Sequence, residues 1–275
     1  MQSVSKETNQ RYLLDEQYKD ASNLDARVRL HQLYSTNKLG WHRWVFEQLN
    51  LPAYSHILEL GCGAGYLWRE NRSRTLEGWE ITLSDLSLGM VQEAHRNLGG
   101  EQCRFRFVAL DSQHIPFASE TFDAVIANHM LYHVPDKARA LSEIRRVLRP
   151  GGSFYATTVG QAHLRELNVL IGSLGPAEAS WGATTFNLEN GAELLSQWFP
   201  QVTMLRYEDS LVVTEAGALI AYVQSGGFGL PSASLTDFTR AVEEEIAAHG
   251  AFRITKDSGL FEATADSGIH LPGAR

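Results

Sequence analysis

The stretch that most constrains the fold is Ile57-Leu58-Glu59-Leu60-Gly61-Cys62-Gly63-Ala64-Gly65. A short apolar run with one embedded acid leads straight into three glycines at alternate positions, and an amphipathic stretch begins near Tyr66. That order predicts a strand, a tight turn and a helix start. Glycine serves such a turn twice over: it accepts positive φ, and its missing Cβ lets a ligand lie against the backbone. The spacing then narrows the ligand. A dinucleotide fingerprint is Gly-x-Gly-x-x-Gly with a pyrophosphate on the helix N-terminus. Here the third glycine comes one residue early, and Glu59 stands two residues before the first. A carboxylate that close repels a pyrophosphate and attracts an ammonium group. The loop therefore suits a cationic, phosphate-free nucleoside better than NAD.

The run Glu59-Leu60-Gly61-Cys62-Gly63-Ala64-Gly65 resembles motif I of the class I S-adenosylmethionine-dependent methyltransferases. The residues downstream extend the resemblance. A second strand over 80–83 ends near Asp85, 24 residues after Gly61, which fits the acid about 20 residues beyond the loop that accepts hydrogen bonds from ribose hydroxyls. Ser87 is a good N-cap, and Met90, Val91, Ala94 and Leu98 give the next helix a buried stripe. A third strand over 105–110 runs into Asp111-Ser112. The resemblance implies that Asp111 faces the adenine amino group with the backbone of Ser112 beside it, and that Leu86 belongs to the cofactor-binding set. An Asp capping a turn is the alternative for Asp111.

The nearly all-apolar run 122–127 reads as a buried fourth strand, ending in Asn128-His129-Met130-Leu131-Tyr132-His133-Val134. A helix over 137–148 follows, with Ala140, Leu141, Ile144 and Val147 on one face, and Arg149-Pro150-Gly151-Gly152 stops it before a fifth strand over 153–159. Phe122-Asp123 before the fourth strand, and Arg146-Val147-Leu148-Arg149-Pro150-Gly151-Gly152 after it, are similar to the ubiquinone and menaquinone biosynthesis type of small-molecule methyltransferase. The resemblance runs from about residue 55 to residue 159.

The expected fold is α/β: a Rossmann-like, seven-stranded mixed sheet with helices on both faces, an N-terminal helical cap and C-terminal helical additions. The expected division is a cap over 1–52, a cofactor-binding core over 53–213, and a C-terminal helical extension over 214–275. Within the cap, 24–50 has helix-like spacing of apolar residues, and Tyr18, His31, Tyr34, Trp41 and His42 are candidates to line a pocket. Beyond Gly160 a helix over 161–174, strands six and seven over 202–207 and 210–213, helices over 214–223 and 235–249, and a late strand over 252–257 are expected.

In an open α/β sheet the ligand lies outside the carboxyl ends of the strands, where the strand order reverses. Gly61, Asp85, Asp111 and Asn128 all fall just past predicted strand ends, so the topology brings them to one crevice. The expected cofactor-binding set is Glu59, Gly61, Gly63, Gly65, Asp85, Leu86, Asp111, Ser112 and Asn128, and the expected cofactor is S-adenosyl-L-methionine. Its sulfonium already activates the methyl, so the protein mainly aligns a nucleophile; oxygen and nitrogen nucleophiles also gain from a base. Candidates for that base are His129, Tyr132 and His133, with His31 and His42 from the cap. The family often has a histidine at the position of His133. The alternative is that Leu131-Tyr132-His133-Val134 packs the next helix onto the sheet.

Composition removes other classes. With 24 Lys and Arg against 32 Asp and Glu, the formal charge is -8, which argues against a nucleic-acid partner. No apolar run approaches ~18 residues and the first thirty residues are polar, so no membrane span or leader is expected and a cytoplasmic location is. Cys62 and Cys103 make neither a disulfide framework nor a zinc site, and no metal is indicated. The expected partner is a small-molecule acceptor, apolar or aromatic. Two further readings stay open: a cofactor-binding protein without transfer activity, and an NAD-linked oxidoreductase.

Overall fold

The computed structural model describes residues 8–18, 22–99, 105–174, 185–225, 230 and 232–266; Cys103, Trp181 and the glycine run 226–229 lie outside them. Along the chain the elements are α1 (Gln10–Tyr12), α2 (Ser22–Tyr34), α3 (Trp41–Glu47), β1 (His56–Leu60), α4 (Tyr66–Asn71), β2 (Glu80–Asp85), α5 (Leu88–Leu98), β3 (Phe105–Ala109), β4 (Phe122–Asn128), α6 (Lys137–Val147), β5 (Leu148–Val159) and α7 (Arg165–Ser173). There follow α8 (Gly191–Ser196), β6 (Gln201–Tyr207), β7 (Ser210–Val213), α9 (Ala216–Ser225), α10 (Ser232–His249), β8 (Phe252–Thr255) and β9 (Ser258–Thr264).

Seven strands form one sheet in the order β3-β2-β1-β4-β5-β9-β6. Strands β1 to β5 pair in parallel, while β9 runs antiparallel to both β5 and β6. The period-two alternation of each central strand feeds two cores, one on each face. Leu58, Leu60, Val125, Ala127, Phe154 and Phe261 point into one core. Ile57, Ala124, Ile126, Tyr155 and Leu260 point into the other. Strand order reverses between β1 and β4, and the crevice above their carboxyl ends is the site expected for this topology.

Two expectations need correcting. The run 210–213 is a strand but not the seventh of the sheet: β7 pairs with β8, Ser210 opposite Thr255, in a separate two-stranded sheet, and Leu211 makes an isolated bridge with Ser35. The strand that completes the seven is β9, inserted between β5 and β6, which no local signal distinguished from a further helical extension; its partner β5 is about a hundred residues earlier, and pairing at that range is invisible to local pattern. The segment 214–275 therefore supplies a central strand as well as helices. Second, 24–50 is two helices. The chain breaks at Ser35, Thr36 and Asn37, whose polar groups bind Asp209, and α3 restarts after Gly40 at φ 82°.

A third core fills the space between the N-terminal helices and the insertion between β6 and β9. Leu30 of α2, Leu167 and Ile171 of α7, Leu211 of β7, Leu219 and Tyr222 of α9, Phe238 of α10 and Ile254 of β8 pack together. This lobe sits over the crevice and supplies its far wall. Tyr34, expected in a pocket, packs here instead. No helix of the described residues is long and apolar enough to cross a membrane.

Candidate active site

The glycine loop takes left-handed backbone angles, with φ of 67°, 53° and 77° at Gly61, Gly63 and Gly65. At Gly61 a second constraint applies, because a Cβ built there would lie 2.6 Å from the Cβ of Met130. The loop after β4 thus presses on the loop after β1, and only glycine fits between them. Gly65 stands off the cavity wall, its α-carbon turned to Leu98 of α5.

Asp85, at the end of β2, fastens this loop. Its Oδ2 accepts from the backbone N–H of Gly63 at 3.0 Å and its Oδ1 from that of Ser87 at 2.8 Å. A carboxylate offers about four lone-pair positions, so with the N–H groups of Gly63, Ser87 and Leu86 placed on it it keeps acceptor capacity for a ligand. Burial raises the pKa of Asp85, against the pull of the N–H groups of Ser87, Gly63 and Leu86. Ser87 caps α5 through its hydroxyl, as its sequence position predicts.

Glu59 lies deeper, only 1% exposed, with Oε2 accepting from the indole N–H of Trp68 at 2.6 Å. Burial pushes its carboxyl up to about 8, opposed by the Trp68 hydrogen bond and reinforced by Asp85. At neutral pH the side chain is mostly protonated. Asp111, beyond β3, behaves in the opposite way: burial raises its pKa, but hydrogen bonds from the backbone and side chain of Gln113 and from Gln10 outweigh this and leave it lowered. It stays an anion able to accept from an exocyclic amine.

The loop after β4 places four residues on the opposite side. Oδ1 of Asn128 accepts from the Thr157 hydroxyl at 2.8 Å and from the Trp41 indole at 3.2 Å. His129 takes a left-handed φ of 54°, uncommon for a residue with a side chain, and its ring lies 4.8 Å from that of Trp41. Burial, then the nearby His163 and Lys256, lowers its pKa to about 3, so its imidazole is neutral at physiological pH. Tyr132 packs its ring 4.5 Å from that of His133. Nε2 of His133 is 3.1 Å from the hydroxyl of Tyr18.

Tyr18 belongs to a strap over 8–18 that crosses the crevice. Gln10 donates to Oδ2 of Asp111 at 3.3 Å, and Ser87 Oγ donates to the carbonyl of Tyr18 at 2.9 Å. Gln10 carried no sequence signal, since an isolated amide in a polar helix has none.

These groups open on one cavity of about 650 Å³, inside the ~300–1,000 Å³ usual for small-molecule and cofactor sites. Glu59, Gly61, Gly63, Asp85, Leu86, Asp111, Ser112, Asn128, His129, Tyr132 and His133 all line it, as do Tyr18, His31, Trp41 and His42. Its far wall adds His163 and Lys256, which sequence reasoning missed because nothing near them in the chain marks a site. Among the described residues no group of three or more His, Cys, Asp or Glu could hold a metal ion.

The donor set fits a nucleoside without phosphate. Acids face the places where hydroxyls and an amine would lie, and no Lys or Arg occurs within the loop from Gly61 to Gly65.

Comparison with known proteins points the same way. Residues 58–156 match the methyltransferase domain family. The chain is 38% identical over 114 residues to malonyl-acyl-carrier-protein O-methyltransferase of Salmonella typhimurium, covering 42% of this chain and 43% of that one. It is 32% identical over 124 residues to demethylmenaquinone methyltransferase of Lactiplantibacillus plantarum, covering 44% and 52%. The matched stretch thus spans about half the length of these relatives. Among solved structures, phosphoethanolamine N-methyltransferase 2 of Haemonchus contortus in complex with S-adenosyl-L-methionine superposes with a TM-score of 0.60 at 16% identity, covering 96% of this chain and 61% of that one. The (4+2)-cyclase SpnF superposes with a TM-score of 0.55 at 20% identity, covering 82% and 81%.

Proposed function

We propose that this chain, whose residues 58–156 match the methyltransferase domain family, is a class I methyltransferase that binds S-adenosylmethionine and moves its methyl group to a small, apolar or aromatic acceptor. The observation that carries the reading is the convergence of the Gly61–Gly63 turn, Asp85 and Asp111 on one cavity. In this reading the open lone pairs of Asp85 accept from ribose hydroxyls, with Leu86 alongside. Asp111 and the backbone of Ser112 hold the adenine. Glu59 and the glycine loop form the floor under the amino-acid end, and Asn128 braces the wall beside it. The bound cofactor supplies a methyl on a sulfonium, already activated for in-line displacement.

The chain's own residues then align the acceptor. His129 presents an imidazole that stays neutral throughout the physiological range, a hydrogen-bonding group that orients the acceptor rather than a base that takes its proton. His133, oriented by Tyr18 and packed edge-to-face with Tyr132, is placed to hold or relieve an acceptor of its proton. The strap over 8–18 covers the cavity and excludes water. The strand ends of β1 to β3 serve the cofactor, while the loop after β4, the strap, His163 and Lys256 serve the acceptor. A cytoplasmic enzyme without a nucleic-acid partner belongs to the same reading, supported by the charge of -8.

A second reading has support in the SpnF likeness, since a cyclase shares this fold and fold does not fix reaction. Parallel titration with S-adenosylmethionine, S-adenosylhomocysteine and NADH, followed by assay for S-adenosylhomocysteine release with candidate acceptors, separates the two. Micromolar binding of both sulfur nucleosides with turnover supports transfer. Binding without release under any acceptor favours a non-transferring protein, and failure to bind either nucleoside sinks both.

A further inference from the structure

The far wall of the cavity holds an ammonium group that is only partly matched. Lys256 follows β8, its side chain is 6% exposed, and it lines the cavity. Its Nζ donates to Oδ2 of Asp209 at 2.6 Å, and its other two N–H bonds have no hydrogen-bond acceptor among the described residues.

Asp209 is itself well supplied. Its Oδ1 accepts from the backbone of Asn37 at 2.9 Å, the backbone of Ser210 at 2.8 Å and the Thr36 hydroxyl at 3.2 Å, while Oδ2 also takes the Ser35 hydroxyl. The carboxylate charge is shared among five donors, so the ammonium keeps a positive field toward the cavity.

His163 stands beside it, 8% exposed and also lining the cavity. The backbone N–H of Asp257 donates to its Nδ1 at 3.2 Å. That bond fixes the tautomer: Nδ1 accepts, and the proton sits on Nε2. Burial and the neighbouring Lys256 lower its pKa to about 3, so the ring is a neutral donor. Nε2 has no partner among the described residues. Across the cavity, His31 of α2 has a buried Nδ1 without a partner. A buried polar atom left unmade costs roughly 1–3 kcal/mol, so the unpartnered Nδ1 of His31, facing the same cavity as the Lys256 ammonium and His163, marks a place completed by a ligand.

We propose that Lys256 and His163 form an oxyanion subsite that holds a carboxylate of the acceptor, with His31 closing the subsite from α2. One cation already sharing an acid matches a single negative charge, and two donors match the two oxygens of a carboxylate; a dianionic phosphate would require a further cation at the same wall. The apolar remainder of an aromatic acid would lie against Trp41 and Tyr222, which line the same cavity. The subsite belongs to the acceptor half and rests on the methyltransferase reading above.

The test uses the full chain saturated with S-adenosylhomocysteine and titrated calorimetrically with benzoate and with benzamide, which share a shape and differ in charge. We expect benzoate to bind at least tenfold tighter than benzamide, and Lys256→Met to erase that preference while S-adenosylhomocysteine binds as before. Asp209→Asn removes the competing charge and should raise benzoate affinity, a change of sign that a folding defect would not produce. Equal binding of the two probes by the unmodified chain, or an unchanged preference in Lys256→Met, overturns the subsite and leaves the methyltransferase reading intact. If Lys256→Met fails to take up S-adenosylhomocysteine, Asp209→Asn decides, and no gain in benzoate affinity overturns the proposal. Failure of the unmodified chain to bind S-adenosylhomocysteine overturns both readings.

Discussion

The hydroxyl of Tyr18 lies 3.1 Å from Nε2 of His133, although the two residues are 115 positions apart in the chain. This bond joins the strap over 8–18 to the loop after β4. It closes the crevice on the side where the acceptor must meet the cofactor. Tyr18 is half-buried, and the loss of solvent around its phenol raises the pKa against the opposing effect of Arg27, so the phenol stays protonated and can donate.

Loss of that bond should loosen the strap without unfolding the protein. A net hydrogen bond contributes about 0.5–1.5 kcal/mol, so we predict that Tyr18→Phe lowers kcat/KM by roughly two- to tenfold and speeds release of S-adenosylhomocysteine. Stopped-flow displacement measures the release directly. An unchanged rate would show that the strap is not held by this contact.

At Gly61 the prediction separates backbone strain from collision. Gly61→Ala places a Cβ 2.6 Å from that of Met130 and keeps φ at 67°, so cofactor affinity should fall at least tenfold. Met130→Ala cannot remove its own Cβ, but it deletes the Met130 Cγ that would lie 2.9 Å from the new methyl. The double variant should therefore recover only part of the loss. Full recovery would mean that φ at this position carries no cost, contrary to the usual penalty for a side chain in the left-handed region.

Asp85→Asn keeps the shape of the side chain but can no longer accept from both Gly63 and Ser87 while serving a ligand. Hydrogen bonds to charged groups are worth about 1.5–3 kcal/mol, so the dissociation constant for S-adenosylhomocysteine should rise roughly ten- to hundredfold with little change in melting temperature. Titration calorimetry with parallel circular dichroism checks it, and undiminished affinity would remove Asp85 from the cofactor site.

Glu59 makes stability depend on pH in a calculable direction. Its carboxyl has a pKa of about 8 in the fold against an ordinary 4.5, so the unfolded chain gives up this proton first. The contribution is whole below pH 4.5 and is lost progressively as pH rises through 8. Glu59→Gln lacks this titration. The melting temperature of the variant relative to the parent should climb between pH 5 and pH 8 and then level off. Parallel melting curves across that interval would refute the assignment.

Local pattern carried the cofactor half of this fold and little of the acceptor half. Each parallel strand was readable because its apolar run ends at a polar residue with a job, as at Asp85 and Asn128. Ser87 and the stripe Met90, Val91, Ala94 and Leu98 likewise follow from short-range rules of capping and periodicity, and all are observed. What failed was pairing at long range. Ser210–Val213 looked like the closing strand because it follows β6 directly, yet its partner is Phe252–Thr255. His163 and Lys256 became part of the site only through the third core, and Gln10 only through a strap whose sequence resembles any polar helix. The candidate site was thus legible where one strand end sufficed to place a residue. It was illegible where three separate segments had to meet.

The insertion between β6 and β9 also sets a timetable. β9 occupies a central place, paired over seven residues with β5 on one side and over seven with β6 on the other, yet it is translated about a hundred residues after β5. At ~5–20 residues per second that interval lasts roughly 5–20 s, during which β5 has an open edge of the kind that invites wrong partners. The segments translated in that interval, from α7 through β8, are the material available to shelter that edge. A chain stalled before β9 would therefore hold the whole insertion and still lack the strand that joins β5 to β6.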